Sequence, residues 1–193
     1  IISLSVVFGL TLPVLIQDAM FQDAVLYSSV AHNLSIGHGT FWFPQYSALN
    51  LEGIPSFHEQ PPLVFGIMSL FYKLFGSSIY VERVYTVLMI VLNIYFIRVL
   101  WKEVYLAANS YSKMWWLPVF FWIIIPVCFW SFRNNMIENT MGVFILISVI
   151  ISIKSIQKEN FWLGWITSGL FIFLASFSKG VPGFFPIVLP LIW

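Results

Sequence analysis

Apolar runs, each close to the length a helix needs to cross a bilayer, recur along this chain and leave few folds open to it. A crossing helix takes about 20 apolar residues, with about 17 a practical minimum. Residues 1–16, 84–101, 114–132, 139–153, 161–177 and 181–193 are the candidates. Of the 193 residues, 60% are hydrophobic and 9% charged, against about 25% charged in a soluble domain. The expectation is an all-α membrane protein, a polytopic transmembrane bundle forming one domain over residues 1–193. Both ends lie inside apolar runs and no basic leader precedes the first, so the chain reads as a piece of a longer protein, cut at each end. No basic run suggests nucleic acid as a partner. The one cysteine, Cys128, excludes a disulfide within the chain.

Between the first two long runs lies a segment, residues 17–62, with four acids (Asp18, Asp23, Glu52, Glu59) and no Lys or Arg. Carboxylates resist burial in lipid, so this loop is the first place to look for chemistry. Residues 24–36 carry Val25, Leu26, Val30 and Leu34 near helical spacing, and Gly37-His38-Gly39 ends the pattern. Such a helix would lie in the interface plane with its apolar side down. Residues 40–57, rich in aromatics, Pro and Gly, read as an ordered loop. Within it, Trp42, Phe41, Phe43 and Tyr46 suit a sugar ring, a polyprenyl chain or a plain membrane interface equally. The run at 63–75 is short, holds Lys73, follows Pro61-Pro62 and stops at Gly76-Ser77-Ser78. Its length suits an interfacial or re-entrant helix rather than a span. Residues 17–80 thus form an outer loop with interfacial helices inside it. The sequon Asn33-Leu34-Ser35 carries little weight, being common by chance.

That reading of 63–75 fixes the sidedness. If it does not cross, Arg98, Lys102, Lys113, Lys154 and Lys158 share one side, which the positive-inside rule makes cytoplasmic. Asp18, Asp23, His58, Glu59, Arg83, Arg133, Glu138 and Lys179 then gather near the outer face. They would line one water-accessible cavity, or they would sit separately among headgroups as charges near helix ends do.

The order of motifs resembles the C-type glycosyltransferases of the protein mannosyltransferase and aminoarabinose-transferase-like group, which use polyprenyl-phosphate sugars. The family has an acid followed by a Tyr- and Ala-containing helix after its first span; here that is Asp23-Ala24-Val25-Leu26-Tyr27-Ser28-Ser29-Val30-Ala31. Next comes a Trp/Pro loop ending in an acid and Pro-Pro-Leu, matched by Phe41-Trp42-Phe43-Pro44 and His58-Glu59-Gln60-Pro61-Pro62-Leu63. A short apolar helix ending Phe75-Gly76 and an Arg opening a span, Glu82-Arg83, are similar too. So are Arg133 with Glu138-Asn139-Thr140, and the turn Ser178-Lys179-Gly180-Val181-Pro182. The resemblance covers nearly the whole chain. Two departures stand out: Gln60 occupies a place where the family often has Lys, and Glu138 one where Asp is usual.

The resemblance implies an inverting transfer of a sugar from a polyprenyl-phosphate donor to an acceptor protein, glycolipid or polysaccharide, on the extracytoplasmic face of the plasma (inner) membrane. It implies Asp23 as the base that takes the acceptor proton, a task for a carboxylate within hydrogen-bond reach. Helix-dipole stabilisation alone would also place an Asp there. Asp18 lacks the Tyr and Ala that follow Asp23 and is held in reserve. Glu59 and His58 would orient donor or acceptor, with Tyr27 and Gln60 beside them. Two adjacent residues supply only part of a divalent metal's ligands, so a metal there needs a distant third. Arg83, Arg133 and Lys179 are the cations for a lipid-linked phosphate; snorkelling to headgroups is their alternative. Glu138 would pair with Arg133 or hold the loop facing the donor. The rival class is a transporter or flippase of a lipid-linked substrate, which would place its polar groups near the bilayer midplane in broken helices. A non-catalytic scaffold would leave the acids without purpose.

Overall fold

A computed structural model describes residues 2–17, 20–47, 56–105 and 109–189. Asp18 and Glu52 lie outside the described residues. Described residues are helical, without a strand: α1 (Ile2–Leu15), α2 (Gln22–Ser35), α3 (Leu63–Phe75), α4 (Val81–Val104), α5 (Asn109–Ser112), α6 (Trp116–Ile124), α7 (Pro126–Arg133), α8 (Glu138–Gln157), α9 (Phe161–Lys179) and a 3₁₀ segment, Val181–Val188. Three of them, α4, α8 and α9, are long and apolar enough to cross a membrane.

The expected span at 114–132 is broken. Its two halves, α6 and α7, meet at 79°. Pro126 explains the break, because its ring has no N–H to donate and forces the preceding residue out of helical geometry. Ile125 is accordingly extended (φ −65°, ψ 121°). The bent pair still runs the length of α4. At one end the Arg98 guanidinium lies 5.0 Å from the centre of the Trp115 ring. At the other, Arg83 Nη1 donates to the Arg133 carbonyl at 3.3 Å. α1 covers the same distance: Ser3 Oγ donates to the Trp116 carbonyl (2.9 Å), and Arg83 Nη2 to the Gln17 carbonyl (2.9 Å). At 14 residues it is shorter than a full span, with Pro13 inside its last turn.

The bundle therefore has a basic end and a loop end. At the basic end Lys154 pairs with Glu103 (3.1 Å) and Gln157 donates to the Glu103 carbonyl. At the loop end lie α2 and α3. α3 fills 63–75 as expected, after the prolines and before Gly76, whose φ of 82° ends it. Both its ends touch the loop end: Gly66 lies under the Phe41 ring, and Tyr72 Oη donates to Glu82 at the start of α4 (2.8 Å). It lies across the bundle end and does not pass through.

α2 begins at Gln22 and its buried face is Ala24, Tyr27, Ser28, Val30, Ala31 and Asn33, while Val25 is exposed. That differs from an apolar stripe led by Val25. The small Ala24 and Ala31 let α2 approach α3, whose Val64, Phe65, Met68 and Tyr72 form the facing stripe. Asn33 is buried and donates to the Gln45 and Tyr46 carbonyls (3.2 Å each), so the sequon nitrogen is a structural anchor for the loop.

Hydroxyl and amide groups join the long helices, as they do where lipid leaves apolar contact little driving force. Thr86 donates to Asn135 Oδ1 (2.9 Å), Tyr85 and Thr140 hydroxyls meet at 2.5 Å, and Asn93 reaches the Asn139 carbonyl (3.1 Å). Ser152 and Ser168 link α8 to α9 (2.8 Å). After α9, the expected span 181–193 is instead, over its described part, the 3₁₀ segment; Pro182 and Pro186 withhold the donors an α-helix needs. This segment folds tightly onto α9, and a Cβ at Gly183 would overlap the Ser176 nitrogen and the Ala175 carbonyl carbon. Gly183→Ala is expected to lower unfolding stability by about 1–3 kcal/mol, as overpacking against backbone does; thermal unfolding in detergent measures it.

Candidate functional site

Three separate stretches of chain meet at the Tyr27 phenol. The start of α2 is pinned first: the Phe21 N–H donates to Asn134 Oδ1 (2.8 Å), and the Phe21 ring packs edge-on against Trp130 (5.2 Å). One turn separates Asp23 from Tyr27, so both project from one face of the helix. The Asp23 carboxylate is half-buried and forms no hydrogen bond or ion pair among the described residues. Tyr27 is buried, edge-on to Phe57 (6.2 Å) and tilted against Phe65 (5.8 Å).

Glu59 arrives from the segment before α3. Tyr46 Oη donates to Glu59 Oε1 at 2.6 Å, and Tyr46 packs on Phe57 (5.0 Å), which fixes the carboxylate from behind. That hydrogen bond is also the main reason the Tyr46 phenol is held above its ordinary pKa. Glu138 arrives from the first turn of α8. Its Oε1 accepts from Lys179 at the end of α9, while its Oε2 is buried without a hydrogen-bond partner.

Electrostatics ties these groups together. Burial pushes the Tyr27 phenol up from 10.0 to about 12, with further upward contributions from Asp23, Glu138 and Glu59 in that order. A hydrogen bond to Gln60 pulls the other way. Coulomb effects weaken with distance, so three carboxylates from α2, the pre-α3 loop and α8 surround one hydroxyl. Tyr27 thus stays a neutral donor across the physiological range. In folding terms its contribution is present below pH 10 and is lost as pH rises through about 12. The alkaline absorbance difference between the protein and Tyr27→Phe is expected to show no phenolate from this residue below about pH 11; a transition near pH 10 would contradict that.

The sequence candidates divide. Asp23, Tyr27, Glu59, Gln60, Glu138 and Lys179 come together. His58 is exposed at the side, edge-on to Phe43 (5.7 Å), in a hollow of about 310 Å³ shared with Trp42, Glu59 and Gln60. The rim of this region is aromatic, since Phe41 and Trp42 lean on Phe177 near the end of α9 (6.0 and 5.7 Å). Arg83 is elsewhere: it is buried and spends two guanidinium nitrogens on the Gln17 and Arg133 carbonyls. Arg133 keeps a buried Nε without a hydrogen-bond partner. Glu138 pairs with Lys179, where the sequence reading had offered Arg133 or a loop contact. Among the described residues no three His, Cys, Asp or Glu side chains could hold one metal ion.

No protein family, curated protein or solved structure matches this chain.

Sequence reasoning passed over Tyr46 as the partner of Glu59, and Glu82 as the partner of Tyr72. Neither spacing carries a signal, because both pairs are made across turns. The buried charge of Glu82, next to Arg83 at the opening of a long apolar helix, was the one visible hint.

Proposed function

We propose that this chain is a polytopic membrane glycosyltransferase, moving a sugar from a polyprenyl-phosphate donor to an acceptor on the extracytoplasmic face of the plasma membrane. The observation that carries the reading is the gathering of Asp23, Glu59, Gln60 and Glu138 around Tyr27, from segments up to 115 positions apart in sequence (138 − 23). A bundle that merely distributed its charges among headgroups would have no reason to stack three carboxylates on one phenol. The motif order of the C-type glycosyltransferases supports the same reading. The clustering of Lys154 with Glu103, and Arg98 with Trp115, at the opposite end supports the orientation under the positive-inside rule.

In this mechanism Asp23 takes the proton of the acceptor hydroxyl as its oxygen bonds to the anomeric carbon. The bond from that carbon to the phosphate oxygen breaks on the far side, which inverts the configuration. Glu59, braced by Tyr46, and the Gln60 amide hold sugar hydroxyls. Tyr27 donates a hydrogen bond from a phenol that remains protonated. Arg133, with an uncommitted Nε, is the cation best placed to receive phosphate. Lys179 is already matched by Glu138 and Arg83 by two carbonyls.

The test is a transfer assay in liposomes supplied with polyprenyl-phosphate hexoses and pentoses and an extract of cell-envelope acceptors. The expected result is acceptor-dependent release of free polyprenyl phosphate without any nucleotide sugar. Movement of intact donor between leaflets with no release would support a flippase instead and end the enzyme reading.

A further inference from the structure

A second cavity, of about 600 Å³, opens on the next face of α2, bounded by the end of α1, the α3–α4 turn and the start of α4. It uses none of Asp23, Tyr27, Glu59 or Glu138. Its α2 wall is the stripe Val25, Ser28, Ser29, His32, spaced to share one helical face. Floor and rim differ in kind. The floor is polar and buried: Ser28 is 7% exposed, Glu82 5% and Arg83 8%. The rim is apolar and open: Ile16, Val25, Ile79 and Tyr80 are between 48% and 74% exposed.

The floor is built for a ligand. Ser28 Oγ is buried, faces the cavity and makes no hydrogen bond of normal geometry; the Tyr72 phenol beside it gives its proton to Glu82. A buried hydroxyl left so costs free energy unless something fills its valence. His32 and Ser77 face each other across the cavity (2.8 Å), adding a donor–acceptor pair. Among the described lining residues the fixed charges cancel, one carboxylate (Glu82) against one guanidinium (Arg83). The Arg83 nitrogens go to main-chain carbonyls, so its fork is not presented to an anion. A phosphate would meet Glu82 and an ammonium would meet Arg83. An uncharged group rich in hydroxyls meets neither penalty and finds Ser28, Ser77 and the Glu82 carboxylate as partners. The apolar rim suits a hydrocarbon chain leaving the cavity.

We propose that this cavity binds an amphiphile whose headgroup is an uncharged polyol, a sugar being the simplest case. The site stands on its own observations and does not depend on the glycosyltransferase reading.

The test uses a photoreactive decyl glucoside on the full chain in lipid nanodiscs, with labelled peptides located by mass spectrometry. Labelling is expected on α2 and on the α3–α4 turn, and unlabelled decyl glucoside should compete better than decyl phosphate or decylamine. Ser28→Ala, which keeps the cavity but removes the hydroxyl, is expected to weaken competition by up to about tenfold. Ile79→Glu, on the exposed rim, should weaken it with the floor intact. Better competition by decyl phosphate or decylamine would overturn the proposal. So would labelling that neither variant changes, which marks simple partition into the bilayer.

Discussion

Replacing Asp23 by Asn is expected to lower sugar transfer by roughly 10²–10⁴-fold, the usual worth of a positioned general base. The side chain keeps its shape and loses its capacity to take a proton. The fold should tolerate the change, because the carboxylate has no hydrogen-bond or salt-bridge partner among the described residues and sits in the first turn of α2, where its dipole interaction is worth well under ~1 kcal/mol when exposed. Donor binding, followed by retention of radiolabelled polyprenyl-phosphate sugar, should be near that of the unaltered protein. The alternative role, a helix-start residue only, predicts the reverse: a small loss of stability and unchanged turnover. Thermal unfolding and single-turnover transfer, measured on the same preparation, separate the two. A second carboxylate removal, Glu59→Gln, would disturb substrate hydroxyls and the Tyr46 hydrogen bond together, so it is the less clean experiment.

The largest structural effect is expected at Arg83. Its guanidinium joins three elements, α4 through its own backbone, α1 through the Gln17 carbonyl and α7 through the Arg133 carbonyl. Arg83→Gln would leave those carbonyls short of a donor and the buried Glu82 without its neighbouring positive charge. Charge-assisted hydrogen bonds and uncompensated buried charges both carry large terms, so a loss on the order of 3 kcal/mol follows. Arg83→Lys should restore little of it, since one ammonium cannot span both carbonyls as a planar fork does. If Arg83 served chiefly to hold donor phosphate, Arg83→Gln would raise the donor KM and leave the melting temperature in place. Melting within ~0.5 kcal/mol of the unaltered protein would refute the bracing role.

How legible was this in the sequence? α3 could be read to the residue, because Pro61-Pro62 and Gly76 punctuate it and its length forbids a crossing. The choice that it does not cross brought Asp23, Glu59, Glu138 and Lys179 to one end before any coordinates were considered. The break between α6 and α7 was not read, although Pro126 was in plain view. Hydropathy runs unbroken from residue 114 to 132, and hydropathy is blind to a missing N–H. The same blindness hid the 3₁₀ segment, where Pro182 and Pro186 stand four residues apart. Arg83 looked like an anion-binding cation because composition gives its charge and not its partners, and carbonyls leave no trace in a sequence. The face of α2 was misjudged for a related reason. Counting apolar residues favoured Val25, whereas close helix approach favoured the smaller Ala24 and Ala31.

The bend at Ile125 also sets an order of events during biosynthesis. α7 ends in Ser131, Arg133, Asn134 and Asn135, a poor passenger for lipid on its own. Its amides and hydroxyl find their partners on Thr86 of α4 and Asn139 of α8. α4 has already left the ribosome when α7 emerges, but Asn139 has not. The nine residues of α6 are too few to hold the segment across the bilayer alone. The 116–133 segment must therefore wait, loosely held, until α8 is made, and its final angle is a product of assembly with later helices.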